Sequence, residues 1–484
     1  MAVVVLAAFG LYATYAVSRL QHFRAATYDL VIFDQAVRSY AHLQPGIAPV
    51  KGVHNDFGPY FSVLGDHFSP ILAVLAPLYW IHDRPITLVL AQAALFALAI
   101  PFVWVFTRRL LGPAAAYLVA VAFAVSGPIQ AAVAFDVHEV AFAVPLMAIA
   151  YERLQAERYG QAGVAAVALL LVKEDMGFFL FGFGALLVVL RGPHRRPEGS
   201  DRGQEQALWR WFPGVVAMIA GIVAVWLTTQ VLMPAAGGRP GYYWQYAGLG
   251  ATPGAGLRHV LHHPVQTLAL FVTPDGKVQL LLWLLAPLAF CSLASPYVLP
   301  AVPLLAERLL ASNPNWWAVW PHYNAFVVVI LFCAGVDGAA RLARLWVARY
   351  GTAQRVAGTG WAAFACAATL VTALWFPFHN LAHASWWTAS PRQRAAAAAV
   401  AKVPDGVTVE AMNYLGPALS GRCDVRLLDR TPRGAPWVVL DTAHRSFPFV
   451  TLAEQRHRLP YLEAHGYREV FRSDGYVVLR KGGR

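Results

Sequence analysis

The sequence predicts a polytopic α-helical membrane protein, on three observations. Charged residues make up only 13% of the 484 residues and hydrophobic ones 58%, whereas a soluble domain carries about 25% charged residues. The apolar residues fall in long blocks close to the roughly 20 residues that cross a bilayer as a helix. The blocks lack the short alternation of apolar and polar positions that marks a soluble amphipathic helix.

The spans are placed in order along the chain. The first runs from Ala2 to Val17. It starts at Met1 without a basic leader and without a convincing small-residue cleavage site after it, so it is expected to be retained. A polar stretch follows from Arg19 to about Ser69. Pro70–Ile81 is apolar but short, as a re-entrant or interfacial segment would be. Spans are expected at Pro85–Thr107 and Pro113–Ala134. Shorter pieces follow at Val140–Tyr151 and Ala162–Val172, and another segment at Met176–Leu190. The remaining spans are Phe212–Met233, Val278–Leu293, Pro296–Leu310, Asn324–Val336 and Trp361–Phe378. This is a bundle of roughly 11–13 transmembrane or partly spanning helices, over residues 1–389.

Lys and Arg in short connectors set the orientation. Arg108 and Arg109 share one connector, and Arg153 and Arg158 another. Arg191, Arg195, Arg196, Arg202 and Arg210 fill a third; Arg341, Arg344, Arg349 and Arg355 fill a fourth. Alternating the spans, with Pro70–Ile81 not crossing, brings all four to one face, expected to be the cytoplasmic one. The net charge of +12 is then the mark of a membrane protein and not of a nucleic-acid binder. The N-terminus is expected in the cytoplasm. The 19–69 loop, Phe135–Glu139, Lys173–Asp175, Pro234–Lys277, Asn313–His322 and the tail after His379 are expected outside.

The tail, residues 390–484, reads as a small external α/β domain. Val407–Glu410, Trp437–Leu440 and Tyr476–Leu479 are strand-like, with amphipathic helical text around Leu452–His465 and no glycine-rich phosphate loop. Gly192–Gln206 reads as a polar linker. Of the four cysteines, Cys291, Cys333 and Cys366 lie in apolar text and Cys423 in the tail. No CxxC pair points to zinc or a disulfide framework.

Ionisable residues near membrane depth need a reason to be there, and they gather on the expected external side. The first loop carries Asp29, Asp34 and Gln35, then His54-Asn55-Asp56, then Asp66-His67. The later connectors carry His138-Glu139, Lys173-Glu174-Asp175 and His322-Tyr323. Asp29 and Asp34 are five apart, so on a helix they are offset and not stacked. Val140–Tyr151 and Ala162–Val172 are too short to cross about 30 Å of hydrocarbon. The charged residues at their ends are therefore expected to line a recessed acidic cavity, where carboxylates with raised pKa serve as general bases.

Blander roles compete for each residue. Asp29 and Asp34 can cap a loop helix, and Asp66 can start the next one. Lys173 with its neighbouring carboxylates can be a self-neutralised cluster. His138-Glu139 is not a zinc-protease motif, since Phe142 stands where the second histidine belongs. Tyr242, Tyr243, Trp244 and Tyr246 read as an interfacial aromatic belt, with sugar or isoprenoid stacking as the alternative. Asp56, Asp66, His67 and Glu139 are candidate ligands for a divalent cation, although no spacing demands one.

The stretches YDLVIFDQAV, GDHFSPIL, the Gln92 span, VKED and PHYNAF together resemble a family of predicted bacterial membrane proteins, catalogued as domain of unknown function 2079. The resemblance runs over nearly the whole chain. Through it the chain is similar to the C-type glycosyltransferase superfamily (GT-C), whose members use lipid-phosphate-linked sugars. Such enzymes carry an acidic residue in a large first external loop, soon after the first span. Phe33-Asp34-Gln35 occupies that place here, with Gln35 where a second acidic residue is usual.

The resemblance implies a glycosyltransferase of the bacterial inner membrane that moves a sugar from a polyprenyl-phosphate donor. Asp34 would be the catalytic base, with Asp66 and His67 orienting it or the acceptor. Lys173 and His322 would face the lipid phosphate. Asp29, Gln35, His54, His138, Glu139, Glu174, Asp175 and Tyr323 would complete the substrate site. Two other functions use the same residues: a transporter or flippase with an intramembrane charge path, and a non-catalytic scaffold or sensor.

Overall fold

The computed structural model describes residues 1–191, 202–241, 244–350 and 354–482. Arg195, Arg196, most of the Gly192–Gln206 linker, and Tyr242 and Tyr243 lie outside the described residues.

Six helices are long and apolar enough to cross a membrane: Ala2–Gln21, Pro85–Leu111, Pro113–Ala134, Trp211–Ala235, His322–Arg349 and Arg355–Trp375. Shorter apolar helices lie between them, at Pro70–Ile81, Tyr159–Leu171, Met176–Arg191 and Gly276–Leu288. Helix α1 (Ala2–Gln21) leads into the loop elements α2 (Ile32–Ala41), α3 (Pro49–His54) and α4 (Ala76–Ile81). Helix α5 (Pro85–Leu111) starts on proline and stops at Gly112, whose φ of 90° no other residue adopts freely. Helix α6 (Pro113–Ala124) restarts on the next proline, and α7 (Gly127–Ala134) continues it.

The short pieces are α8 (Ala143–Gln155), α9 (Tyr159–Ala168) and α10 (Met176–Arg191). Helix α8 runs one turn beyond the predicted Tyr151. Glu152 is held by Arg109 at 2.6 Å and Arg153 at 3.0 Å, so the charged turn stays helical. Helix α10 packs tightly on α11 (Arg202–Leu227) through glycines. Gly177 lies against Gly221 and Gly184 against Gly214, and a Cβ at any of the four would strike the facing backbone. The spacing of seven on both antiparallel helices keeps the pairs in register, as small-residue packing in membranes requires.

Three spans, Val278–Leu293, Pro296–Leu310 and Asn324–Val336, differ from their prediction. Val278–Leu293 is not one helix: the helix ends at Leu288, and Ala289 and Phe290 turn left-handed before short 3-10 segments lead to Ala301–Leu310. Asn324–Val336 is only half of a helix that reaches Tyr350. Asp337 is the first residue past the predicted end. It is neutralised by Arg341 at 2.6 Å and takes a hydrogen bond from Ser295 at 2.6 Å, so the helix continues. Residues 325–334 of that helix are buried and apolar, and they form the centre of the bundle.

Ion pairs and packing sort the connectors by end. Arg109 meets Glu152, and the Arg191 guanidinium covers Tyr159, so the arginine-rich turns share one end. At the other end Arg19 meets Asp136, and Trp386 stacks on Tyr15. The tail folds over that second end as a five-stranded sheet, in the order β2-β1-β3-β5-β4. Strands β1 (Thr408–Ala411), β2 (Asp424–Leu427) and β3 (Trp437–Asp441) are parallel; β4 (Tyr467–Ser473) and β5 (Tyr476–Lys481) close it antiparallel. Strands β2 and β4 escape the sequence reading. Their alternating Arg, Asp and Glu lie at the two sheet edges, where charge is usual.

Candidate active site

Three connectors and the first loop bring the cluster together. Asp29 sits in a π-type turn, Thr27–Val31, a geometry common at functional sites. Buried Gln92 of α5 shapes the turn after α7. Its Nε2 donates to Asp136 O at 2.5 Å, and its Oε1 accepts from the His138 amide at 3.1 Å. Asp136 itself has a φ of 78°, and its carboxylate takes Arg19 at 2.7 Å and the Ala26 amide at 2.9 Å. The first loop is thereby tied to the bundle.

At the centre, the rings of His138 and His322 stack with centroids 3.6 Å apart and planes 17° from parallel. Asp29 Oδ1 lies 3.6 Å from His138 Nε2, and its side chain is 30% exposed. Lys173 Nζ is 3.1 Å from Glu139 Oε1 and 5.8 Å from the Tyr323 ring centroid. His67 Nδ1 lies 2.8 Å from Glu174, whose other oxygen accepts the Phe68 amide at 3.2 Å. Buried Arg308 donates to Trp316 O, Tyr323 O and Asn324 Oδ1, all neutral acceptors.

Charge is balanced locally in the turn between α9 and α10. Burial raises the Glu174 carboxyl, but His67 and then Lys173 overcome it and hold it down at about 2. Burial pushes Asp175 up to about 6, with Lys173 opposing and Glu174 and Glu139 adding to the rise. Five buried atoms around this point have no hydrogen-bond partner among the described residues: His138 Nδ1, His322 Nδ1, Glu139 Oε2, Asp175 Oδ1 and Glu307 Oε2. Buried polar atoms are nearly always paired, so these five set the cluster apart from the apolar bundle around it.

The structure thus gathers Asp29, His67, His138, Glu139, Lys173, Glu174, Asp175, His322 and Tyr323. It sends Asp34, Gln35 and His54 elsewhere. Asp34 is fully buried, and its oxygens are taken by Tyr79 at 2.6 Å, by Arg38 at 2.9 Å, and by Ser420 of the sheet domain. A base there would have to break three contacts to reach a substrate. Gln35 donates to Val425 O at 3.0 Å on the edge strand β2 and accepts from the Val50 amide at 2.8 Å. His54 meets Asp429 at 2.9 Å. The five-residue offset explains the division: one face of the turn and helix meets the cluster and the other meets the sheet. Asp66, beside His67, is paired with Lys51 at 2.7 Å.

Lys51, Glu307 and Arg308 were not singled out from the sequence. The adjacent Glu307-Arg308 pair inside apolar text was a legible signal. Among the described residues no three His, Cys, Asp or Glu side chains are gathered to hold a metal ion. Of the residues considered for a cation, Asp56 faces Arg433 at 3.4 Å, Asp66 faces Lys51 and Glu139 faces Lys173. His67, the fourth residue considered, faces Glu174 at 2.8 Å.

A bundle of apolar helices, with a charged cluster at one end and a small sheet domain over it, is a GT-C-like fold. Two structures of ArnT from Cupriavidus metallidurans have it. The one bound to undecaprenyl phosphate is 13% identical with a TM-score of 0.56, over 100% of this chain and 99% of that one. The apo form is 12% identical with a TM-score of 0.52, over the same shares. The chain belongs to the family of predicted membrane proteins known as domain of unknown function 2079, whose family model matches residues 19–478. No curated protein matches it in sequence.

Proposed function

We propose that the protein is a glycosyltransferase of the bacterial inner membrane, taking a sugar from a polyprenyl-phosphate donor at the end of the bundle that carries the cluster. That end faces outward, because the arginine-rich turns at the other end follow the cytoplasmic rule. The observation that carries the reading is Asp29: a partly exposed carboxylate 3.6 Å from a buried histidine pair, with Lys173 and Glu139 behind it.

In the reaction, the acceptor hydroxyl oxygen attacks the anomeric carbon and its proton passes to Asp29. The bond from that carbon to the phosphate oxygen breaks, and its electron pair leaves with the phosphate. Arg308 and Lys173 meet the charge that develops there, in a site where burial strengthens the interaction. In this reading Asp29, and not Asp34, is the base. The buried apolar stretch 325–334, which separates His322 from Asp337 by roughly 22 Å along the helix, favours a site at one end over a charge path through the bundle.

The test uses the full chain in lipid nanodiscs with undecaprenyl-phosphate-linked hexoses and pentoses, measuring release of undecaprenyl phosphate. Asp29→Asn is expected to lower turnover by about a hundredfold or more. A folded Asp29→Asn protein with the parent's turnover would overturn the assignment.

A further inference from the structure

Open sheets with parallel strands hold their ligands outside the carboxyl ends of those strands, where the connections diverge to either side. In the sheet domain that place is beside β1, with β2 on one flank and β3 on the other. It is filled by the chain's own first loop. Asn413, two residues past β1, accepts hydrogen bonds at its carbonyl oxygen from Thr27 N and Thr27 Oγ1, both at 2.6 Å. Its side-chain Oδ1 accepts from Tyr28 N at 3.1 Å. Asp429, two residues past β2, holds His54. Phe447 packs against Tyr28 and His54, with ring centroids 5.0 and 5.6 Å away. Gly416 has no room for a Cβ, which would overlap Thr27 Oγ1.

The contact falls on the turn that presents Asp29. A helical turn leaves its first amides without partners, and a side chain just before it usually caps them. Here the residue in that position is Ala26, which has no side chain able to do so. Asn413 supplies the missing cap from the other domain. The turn is pinned on its bundle side by the Asp136 carboxylate on Ala26 N.

We infer that the carboxyl edge of the sheet domain takes the Thr27–Val31 turn as an internal ligand, and that Asn413 is a positioning residue for Asp29. The second half of this rests on the role of Asp29 proposed above. A rigid carboxylate at the reacting centre is worth more than a mobile one, because misplacement is felt directly in the rate.

The test compares Asn413→Ala, which removes the acceptor for Tyr28 N, with Asn413→Asp, which keeps it. Both are made in the full chain in nanodiscs. In Asn413→Ala, hydrogen exchange at the Tyr28–Val31 amides is expected to quicken about tenfold, the scale of one hydrogen bond, while β3 and β5 are unchanged. With an undecaprenyl-phosphate-linked hexose, kcat falls about tenfold and KM holds. Asn413→Asp restores both. Unchanged exchange in Asn413→Ala overturns the clamp. Faster exchange with parental kcat, while Asp29→Asn is inactive, overturns the positioning role. If Asp29→Asn keeps full activity, the role of Asp29 falls instead, and the exchange measurement alone decides whether the sheet edge holds the turn.

Discussion

His138 and His322 lie face to face, 3.6 Å between ring centroids, although 184 positions separate them in the chain. Each ring also buries an Nδ1 that has no partner among the described residues. Replacing His322 with Phe keeps the stack and removes that nitrogen. We expect His322→Phe to fold with a Tm within a few degrees of the parent and to bind undecaprenyl phosphate about tenfold more weakly, the value of one hydrogen bond to a charged group. Parental affinity would show that the pair only packs.

Lys173 and Glu139 form a buried ion pair. Removing one partner strands the other charge and is expected to destabilise by roughly 3–5 kcal/mol. Lys173→Met alone should therefore lower Tm sharply. The double variant Lys173→Met with Glu139→Leu should recover most of that stability, because neither charge remains. If Lys173 also faces the leaving phosphate, the double variant stays inactive. Recovery of turnover together with stability would make the pair purely structural.

Asp175 and His67 give a pH signature. The Asp175 carboxyl is raised to about 6 from an ordinary 3.8. Burial lowers His67, but Glu174 and Asp66 outweigh it and raise the imidazole above its ordinary 6.5. A raised folded-state pKa contributes stability that is present below the unfolded value and lost as pH climbs through the folded one. Both groups therefore make the protein more stable at pH 5 than at pH 8. Thermal unfolding in nanodiscs should show it, with Asp175→Asn removing on the order of 1–3 kcal/mol of that dependence. An Asp175→Asn protein that keeps the parent's full pH dependence of Tm would contradict this assignment.

Asp34 separates interface from chemistry. Asp34→Asn keeps an oxygen to accept from one of the Tyr79 and Ser420 hydroxyls, turns an N–H donor to the other hydroxyl oxygen, and removes a charge that burial disfavours, so turnover is expected to stay within about twofold. Asp34→Ala leaves those hydroxyls and Arg38 without their buried partner. It should loosen the docking of the sheet domain, seen as faster hydrogen exchange in α2 and around Ser420. Loss of activity in a well-folded Asp34→Asn protein would return the base to Asp34.

The sequence by itself determined the membrane class, the order of the apolar segments, and the face on which the ionisable connectors gather. Those properties follow from composition and from alternation of short segments, both local in the chain. Gln92, VKED and PHYNAF were legible for the same reason: polar groups inside apolar text stand out against a background that excludes them. The end of the Gly276–Leu288 helix was not, because two left-handed residues in apolar text leave no compositional mark. Nor was the continuation past Asp337, which depends on Ser295, 42 positions away.

Only the tertiary structure decided which of Asp29 and Asp34 is enclosed. Both are acidic residues of one loop, and their text differs little. What separates them is the sheet domain, nearly 400 positions on, where Ser420 takes Asp34 and Asn413 fixes the turn that presents Asp29. Which carboxylate is enclosed and which stays exposed is set by contacts of that sequence separation, and no window along the chain contains them.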